Sequence, residues 1–415
     1  MSSIITDAYQ RSFQALSANE KYVVPTPFTS LFLQQRPQID MGSDQVTIEV
    51  YKGNRKVAPL VSRRSPGSEL ENTPIRPGAV GTNDYLYSLI AQEMELPSTV
   101  LNQRMPGEPL YMPATSSDEI KMARRRFWVN KLALDANRRI LQRCELLAIQ
   151  SFMTGEMALG DTYQGETKLI FPRSSILKNR PVADTWASAS TAKPWLDYGN
   201  AMKAIKAKAQ ISGSGLWWSA LPSTAMGNLR AIYRSQRTLE SGPNVQYNDY
   251  SFNPENAVPS ELAFLIRNGM EYSGWIRGDY GNSKIHLFTF PESYDSNASD
   301  STETDTEYLA TPMGILPNLV SLNFYDPMFF KAYYGPGKKD PPQAAFYTSN
   351  FPAMSAPNVN PGMLTIGNAG IPANTFLLNL YPLGKNEGMG GVVEHAPIFA
   401  NVYPDVVATI ATTTY

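Results

Sequence analysis

Side chains that commonly do chemistry near neutral pH are scarce in this chain. It has two histidines, His286 and His395, far apart in sequence, and one cysteine, Cys144. A structural zinc site takes three or four ligands at matched spacing, and one Cys with two His cannot supply a standard one. Each histidine sits in no motif and reads as an ordinary strand residue. Gly335–Pro336–Gly337–Lys338–Lys339 resembles part of a phosphate loop but lacks the Gly-Lys-Ser/Thr ending that places a lysine and a hydroxyl on phosphate and magnesium. Gly213–Ser214–Gly215 falls short of the Gly-x-Ser-x-Gly nucleophile elbow and reads as a loop after a helix. Glu69 and Glu71 pair in a polar stretch where carboxylates stay solvated, and a raised acid pKa needs burial. Asn297–Ala298–Ser299 fits the glycosylation pattern, which matters only in a secreted protein. The expectation is that the chain is not an enzyme and has no catalytic, cofactor or metal site.

One charged cluster carries more weight. Lys121, Arg124, Arg125, Arg126, Lys131, Arg138, Arg139 and Arg143 stand against Asp118, Glu119, Asp135 and Glu145 in a single helical stretch. The favoured reading is a solvated helix face with local ion pairs worth little each. The sharper reading is a stripe facing a polyanion or acidic neighbours, with Arg124, Arg125, Arg138 and Arg139 as the contact candidates.

Charge balance limits the sharper reading. Lys+Arg is 36 against Asp+Glu 37, so any nucleic-acid contact must come from a local patch, not from a basic excess. A single cysteine excludes a disulfide framework within the chain and suits a reducing cytoplasm. Residues 1–11 lack a basic region followed by an apolar stretch, so no signal peptide is expected. No run of about eighteen apolar residues occurs, so no membrane-spanning helix is expected either. The 32 prolines are spread along the chain. They break helices and ladders and predict extended segments that gain stability by lying on something else.

The elements that would position these residues follow from periodicity. A helical period at Ile4, Ile5, Ala8, Tyr9, Phe13 and Leu16 gives way to Val23–Pro25–Pro27. Phe28, Leu31, Phe32 and Leu33 then form an apolar segment too short for its own core, so an arm docking elsewhere is expected. Val46, Ile48 and Val50 alternate with Thr47 and Glu49 as a half-buried strand. Residues 62–82 are polar and rich in Pro and Gly. They read as a projecting loop with its tip near 65–72 and with Arg63, Arg64, Glu69, Glu71 and Arg76 on it. Residues 84–101 regain helical spacing.

The strongest element spans residues 117–154. Ser116 and Glu119 make a capping box, Gly155 makes a stop, and no Pro or Gly intervenes. At ~1.5 Å per residue the helix is about 57 Å long. Its expected buried face is Ile120, Phe127, Leu134, Ile140, Cys144 and Leu147. Beyond it the spacing predicts one or two strands over 166–186, helices over 195–210 and 225–237, and strands at 216–221, 263–265, 270–276 and 285–290. Residues 293–307, acidic and without a basic residue, read as a solvated loop. Residues 335–361 read as loop, and 376–381 and 392–410 as extended. The fold class is α+β.

Taken in order, these features resemble the major capsid proteins of tailed phages, the phage lambda capsid-protein family in particular. Ser17–Ala18–Asn19–Glu20–Lys21 with Pro27–Phe28 and Leu31–Phe32 resembles that family's N-terminal arm. Val57–Ala58–Pro59–Leu60–Val61–Ser62 and Thr73–Pro74 through Pro77–Gly78 resemble its extended loop. Arg124–Arg125–Arg126 and Gln150 to Thr154–Gly155–Glu156 resemble the opening and close of its spine helix. Glu394–His395–Ala396–Pro397 and Pro404–Asp405 resemble its C-terminal strands.

The resemblance implies the Hong Kong ninety-seven capsid fold. Its expected divisions are an N-terminal arm over 1–45, an extended loop with flanking strands over 46–95, and a peripheral domain with the spine helix over 96–194. An axial domain over 195–330, a loop-rich insertion over 331–385 and C-terminal strands over 386–415 follow. It also implies hexamers and pentamers of an icosahedral head around double-stranded DNA, made in the host cytoplasm and resident in the virion. Partners would be a separate scaffolding protein, a portal and a decoration protein, with no membrane. Phe28, Phe32, Arg63, Arg64, Glu69, Glu71 and Arg76 are then candidates for contacts between subunits, and Arg124, Arg125, Arg138 and Arg139 for contact with DNA. An encapsulin-like nanocompartment and a phage tail or adhesin subunit are the rival readings.

Overall fold

The computed structural model describes residues 24–40, 45–51, 79–87, 90–96, 103, 117–163, 166–209, 211, 215–239, 250–252, 258–277, 283–295, 305–309, 319–335, 345–347, 365–366, 371–372, 376–383 and 388–413. Arg63, Arg64, Glu69, Glu71, Arg76, the tip 65–72 and Ser116 of the capping box lie outside the described residues.

The body is built on a seven-stranded mixed sheet. Its spatial order is Arg180–Pro181, Val407–Ala411, Leu319–Tyr325, Leu216–Leu221, Lys284–Thr289, Glu271–Arg277 and Tyr250–Ser251. Residues 216–221 and 284–289 run parallel, with Trp217 opposite Ile285, and 319–325 lies antiparallel beside them. Strand side chains alternate between faces, and the adjacent tryptophans show the result. Trp217 faces a cluster with Leu221, Ile285, Leu287, Val320 and Leu322, which helices Pro194–Ala209 and Ser223–Leu239 cover through Tyr198, Met202, Ile205, Leu229 and Ile232. Trp218 faces the other way, into a cluster with Phe288, Phe152 of the long helix and Phe28.

The long helix runs Ser117–Thr154, as its uninterrupted period predicts. Gly155 ends it at φ +72°, its amide returning to the Ser151 carbonyl at 3.0 Å. A Cβ there would meet the Phe171 carbonyl oxygen at 2.9 Å, so both conformation and space call for glycine. Further strands attach around this helix. Ile90–Leu96 pairs with Gly388–His395, which pairs with Phe376–Leu383. Gln38–Ile39, Phe330–Tyr334 and Pro397–Asn401 form a three-stranded sheet.

Gln45–Tyr51 pairs antiparallel with Ala79–Leu86, burying Val46, Ile48 and Val50 as their alternation predicts. This hairpin ties the two ends of segment 52–78.

Several expectations are corrected. Within 84–101, where helical spacing predicts a helix, the described residues 84–86 and 90–96 are strands instead, because each finds a partner strand whose ladder overrides weak helical spacing; 88–89 and 97–101 lie outside the described residues. Residues 263–265 belong to a short helix, Ala263–Arg267, not to a strand. Within 331–385, Phe330–Tyr334 is a ladder strand, and Phe376–Leu383 is a strand where 376–381 reads as extended. The acidic stretch 293–307 is closed at its base by a hairpin of Ser293–Asp295 with Asp305–Glu307.

The largest correction concerns Phe28 and Phe32, expected at subunit contacts. Helix Pro27–Phe32 is wholly buried in this chain's own core. Phe28 lies 5.2 Å from Phe152, 6.5 Å from Trp218 and 6.3 Å from Phe290, centroid to centroid. Phe32 packs on Phe330 at 5.4 Å and Phe399 at 5.5 Å. A segment too short to make a core of its own completes one made by others.

Phe28→Ala is therefore expected to lower the stability of the isolated subunit by about 3–5 kcal/mol, read as a lower denaturant midpoint with unchanged slope. An unchanged midpoint would contradict packing within the subunit. Gly155→Ala should cost about 1–2 kcal/mol from the left-handed backbone alone, by the same measurement.

Candidate functional site

Among the described residues singled out for chemistry, Cys144, His286 and His395 all sit in buried packing positions. Cys144 is fully buried, and burial pushes its thiol well above the usual range, away from a reactive thiolate. His286, on strand 284–289, meets the Tyr272 hydroxyl at 3.0 Å through Nδ1. Burial, then Lys284, lowers its pKa to about 4. His395 is enclosed, its ring 5.1 Å from that of Tyr334. Among the described residues no three His, Cys, Asp or Glu side chains converge as metal ligands, and no helix is long and apolar enough to cross a membrane.

What the structure does assemble is a set of anchors around the C-terminal half of the long helix. Ala136, Ile140, Cys144, Glu145, Leu147, Ala148, Ile149, Ser151 and Phe152 are buried there. Toward the N-terminus Ile120 is half-buried; the side chains of Phe127 and Leu134 lie outside the described set. Ile140, Cys144 and Leu147 lie on the buried side.

The first anchor is Glu145. Its carboxylate is fully buried and accepts the amides of Phe28 at 2.7 Å and Thr29 at 2.9 Å, the first turn of helix 27–32. Those amides have no partner within their own helix, and a carboxylate there complements the positive end of the peptide dipoles. Burial raises the Glu145 pKa to about 7, against the lowering effect of the amides it accepts. Sequence reasoning counted Glu145 among the charges of an exposed face. The apolar neighbours Leu141, Cys144 and Ala148, one turn apart, were the signal that it faces inward.

The second anchor is Arg173, which follows Phe171 and Pro172 and was not singled out. It donates to the carbonyls of Met153 at 2.6 Å and Phe152 at 2.7 Å, the last turn of the long helix, and through Nε to Pro404 at 3.1 Å. Burial lowers its pKa to about 10, with Asp405 opposing. Asp405 in turn accepts from the Ser174 amide at 2.7 Å and hydroxyl at 3.1 Å. Ser151 donates to the Phe399 carbonyl at 2.6 Å. Arm, long helix and C-terminal strands thus meet at one joint.

The base of the 45–51 hairpin is held by the same C-terminal segment. The Tyr51 amide donates to Val402 at 2.8 Å, and its ring stacks on Tyr403 at 5.1 Å, which in turn lies 4.8 Å from Phe329.

The candidate DNA-facing arginines separate. Arg139 is exposed, Arg124 is half-buried, and Arg138 lies 3.7 Å from Asp135 in a surface pair; the side chain of Arg125 is outside the described set.

The sign of the Glu145 shift makes a prediction. Its folded pKa lies above the ordinary 4.5, so between these values the folded state holds a proton that the unfolded state lacks. Its contribution to stability therefore falls as pH rises from 4.5 toward 7. Glu145→Gln removes that component. Denaturant unfolding across this pH range should show a steeper loss of stability in the wild type than in the variant, and parallel curves would refute the assignment.

No protein-family model matches the sequence, and no curated protein matches it either. Solved structures do. The putative capsid protein of a prophage of E. coli CFT073 aligns over 97% of both chains at TM-score 0.52 and 16% identity. A phage-related protein of Bordetella bronchiseptica RB50 aligns over 94% of this chain and 98% of its own, at TM-score 0.39 and 10% identity. An encapsulin complex of Synechococcus elongatus PCC 7942 aligns over 95% and 92%, at TM-score 0.40 and 9% identity. The first of these, matching end to end, shows the fold: this chain has the α+β architecture of the prophage capsid protein, the Hong Kong ninety-seven type expected from the order of its sequence features.

Proposed function

We propose that the protein is the major capsid subunit of a tailed double-stranded DNA phage. The carrying observation is the fold match to a prophage capsid protein across nearly the whole of both chains. Two structural features support it. The described elements form one interlocked body anchored at Glu145 and Arg173. A hairpin holds the ends of segment 52–78, whose composition offers little to a core of its own.

In this reading the subunits form hexamers and pentamers through heterologous contacts that close into rings, and interfaces of several thousand Å² stabilise the shell. Residues Arg63, Arg64, Glu69, Glu71 and Arg76 contact neighbouring subunits. Phe28 and Phe32 act indirectly, by setting the path of the arm within the subunit. A separate scaffolding protein and a portal complete the head, which assembles in the host cytoplasm.

Electron microscopy of the purified protein is the test. Closed icosahedral particles enclosing nucleic acid are expected when it is produced with the other head proteins. Particles filled with a protein cargo would favour a nanocompartment, and fibres or open rings a tail subunit. A stable, catalytically active monomer that never assembles would overturn the reading. Removing residues 65–72 should leave a soluble subunit that does not close stable shells, scored in the same images.

A further inference from the structure

The two helices on the sheet face that looks away from the long helix carry an uneven charge. Lys193, Lys203, Lys208, Arg230 and Arg234 are exposed on or beside them, and Lys206 is half-exposed, 5.8 Å from the Trp217 ring centroid. The helices are neighbours: Trp195 meets Tyr233 at 5.8 Å, centroid to centroid, and Ser235 donates to the Ala189 carbonyl at 2.8 Å. Apart from these cations, the described exposed positions on the two helices are small: Ala207, Ser223, Thr224, Gly227 and Ala231. None is acidic.

Among the described residues, two acids meet the pair at its N-terminal ends. Asp197 is taken up by the Trp186 indole N–H at 2.9 Å, with Asp184 and Arg180 beside it. Glu307 accepts from the Ser223 amide and hydroxyl, both at 2.8 Å. Lys206 and Lys208 also suit the negative end of their own helix, but that does not account for Lys193, Lys203, Arg230 or Arg234. In a chain of net charge −1, these exposed cations with small neighbours make a local basic surface among the described residues.

We propose that this helix pair is a contact surface for double-stranded nucleic acid, engaged through backbone phosphates without reading sequence. The inference rests on the capsid reading and assigns a genome contact to Lys203, Arg230 and Arg234 and their neighbours. Phosphate neutralisation by side chains of this kind makes affinity fall with salt, with a log–log slope of about −0.9 per neutralised phosphate.

The test is fluorescence anisotropy of a labelled DNA duplex titrated with purified protein over a salt series, with electron microscopy of the same preparations. The Lys203→Glu/Arg230→Glu/Arg234→Glu variant should weaken low-salt binding by about tenfold or more and flatten the salt slope by about 0.9 for each phosphate no longer neutralised. Arg139→Glu should change neither much, and particles should still form. The corresponding glutamine variant, checked by circular dichroism, decides the matter if the glutamates prevent folding. An unchanged slope in a folded variant, or weakened binding confined to Arg139→Glu, overturns the proposal. So does a wild type that fails to bind duplex at low salt, which would leave an acidic protein segment as the partner. Wild-type protein that binds duplex through this surface yet never forms particles would sink the capsid reading while leaving the contact surface standing.

Discussion

The fold depends on a buried carboxylate. Glu145 projects from the long helix into the protein interior and holds the first turn of a six-residue helix by two backbone amides. A helix that short has little intrinsic stability in water. Its amides need an acceptor and its apolar side chains need a cavity of the right shape. Glu145 supplies the first; Phe152, Trp218, Phe290, Phe330 and Phe399 supply the second. Desolvating a carboxylate is unfavourable, and the raised pKa is the signature of that cost. The compensation is positional: an arm that could lie anywhere is set at one depth and one register along the long helix.

Arg173 performs the complementary task at the other end of the same buried stretch. It satisfies carbonyls that a helix terminus leaves open and ties them to the 404–406 turn, so the chain's late strands are registered against its longest helix. Both anchors place a charge at the helix end whose dipole it complements. They divide the long helix into a C-terminal half embedded in the core and an N-terminal part whose described side chains are mostly half-exposed. In a shell subunit, that division would let one element join a rigid core to surfaces that adapt to different lattice positions.

The cations illustrate why composition and placement must be argued separately. A basic cluster was visible in residues 121–143, yet its described members are mostly partly buried or face an acid. Among the described residues, more exposed cations lie on two other helices. Their lysines and arginines are ordinary in sequence but share an exposed side once both helices pack on one face of the sheet.

The sequence by itself determined the elements whose signals are local. The long helix was legible to the residue because no proline or glycine interrupts its period before Gly155, and the strands at 46–51 and 216–221 because apolar alternation or a compact apolar run marks them. The order of these elements carried the fold class. Tertiary structure decided the rest. Residues 84–86 and 90–96 became strands because partners in 45–51 and 388–395 were available, a fact no local window contains. Phe28 and Phe32 moved from an expected subunit contact into the core because the cavity they fill is lined by residues from more than a hundred positions away. Glu145 and Arg173 could be read as charges but not as anchors, since an anchor is defined by what it meets. Hydrogen-bond partners distant in sequence leave no periodic trace, and only the folded chain brings them within reach.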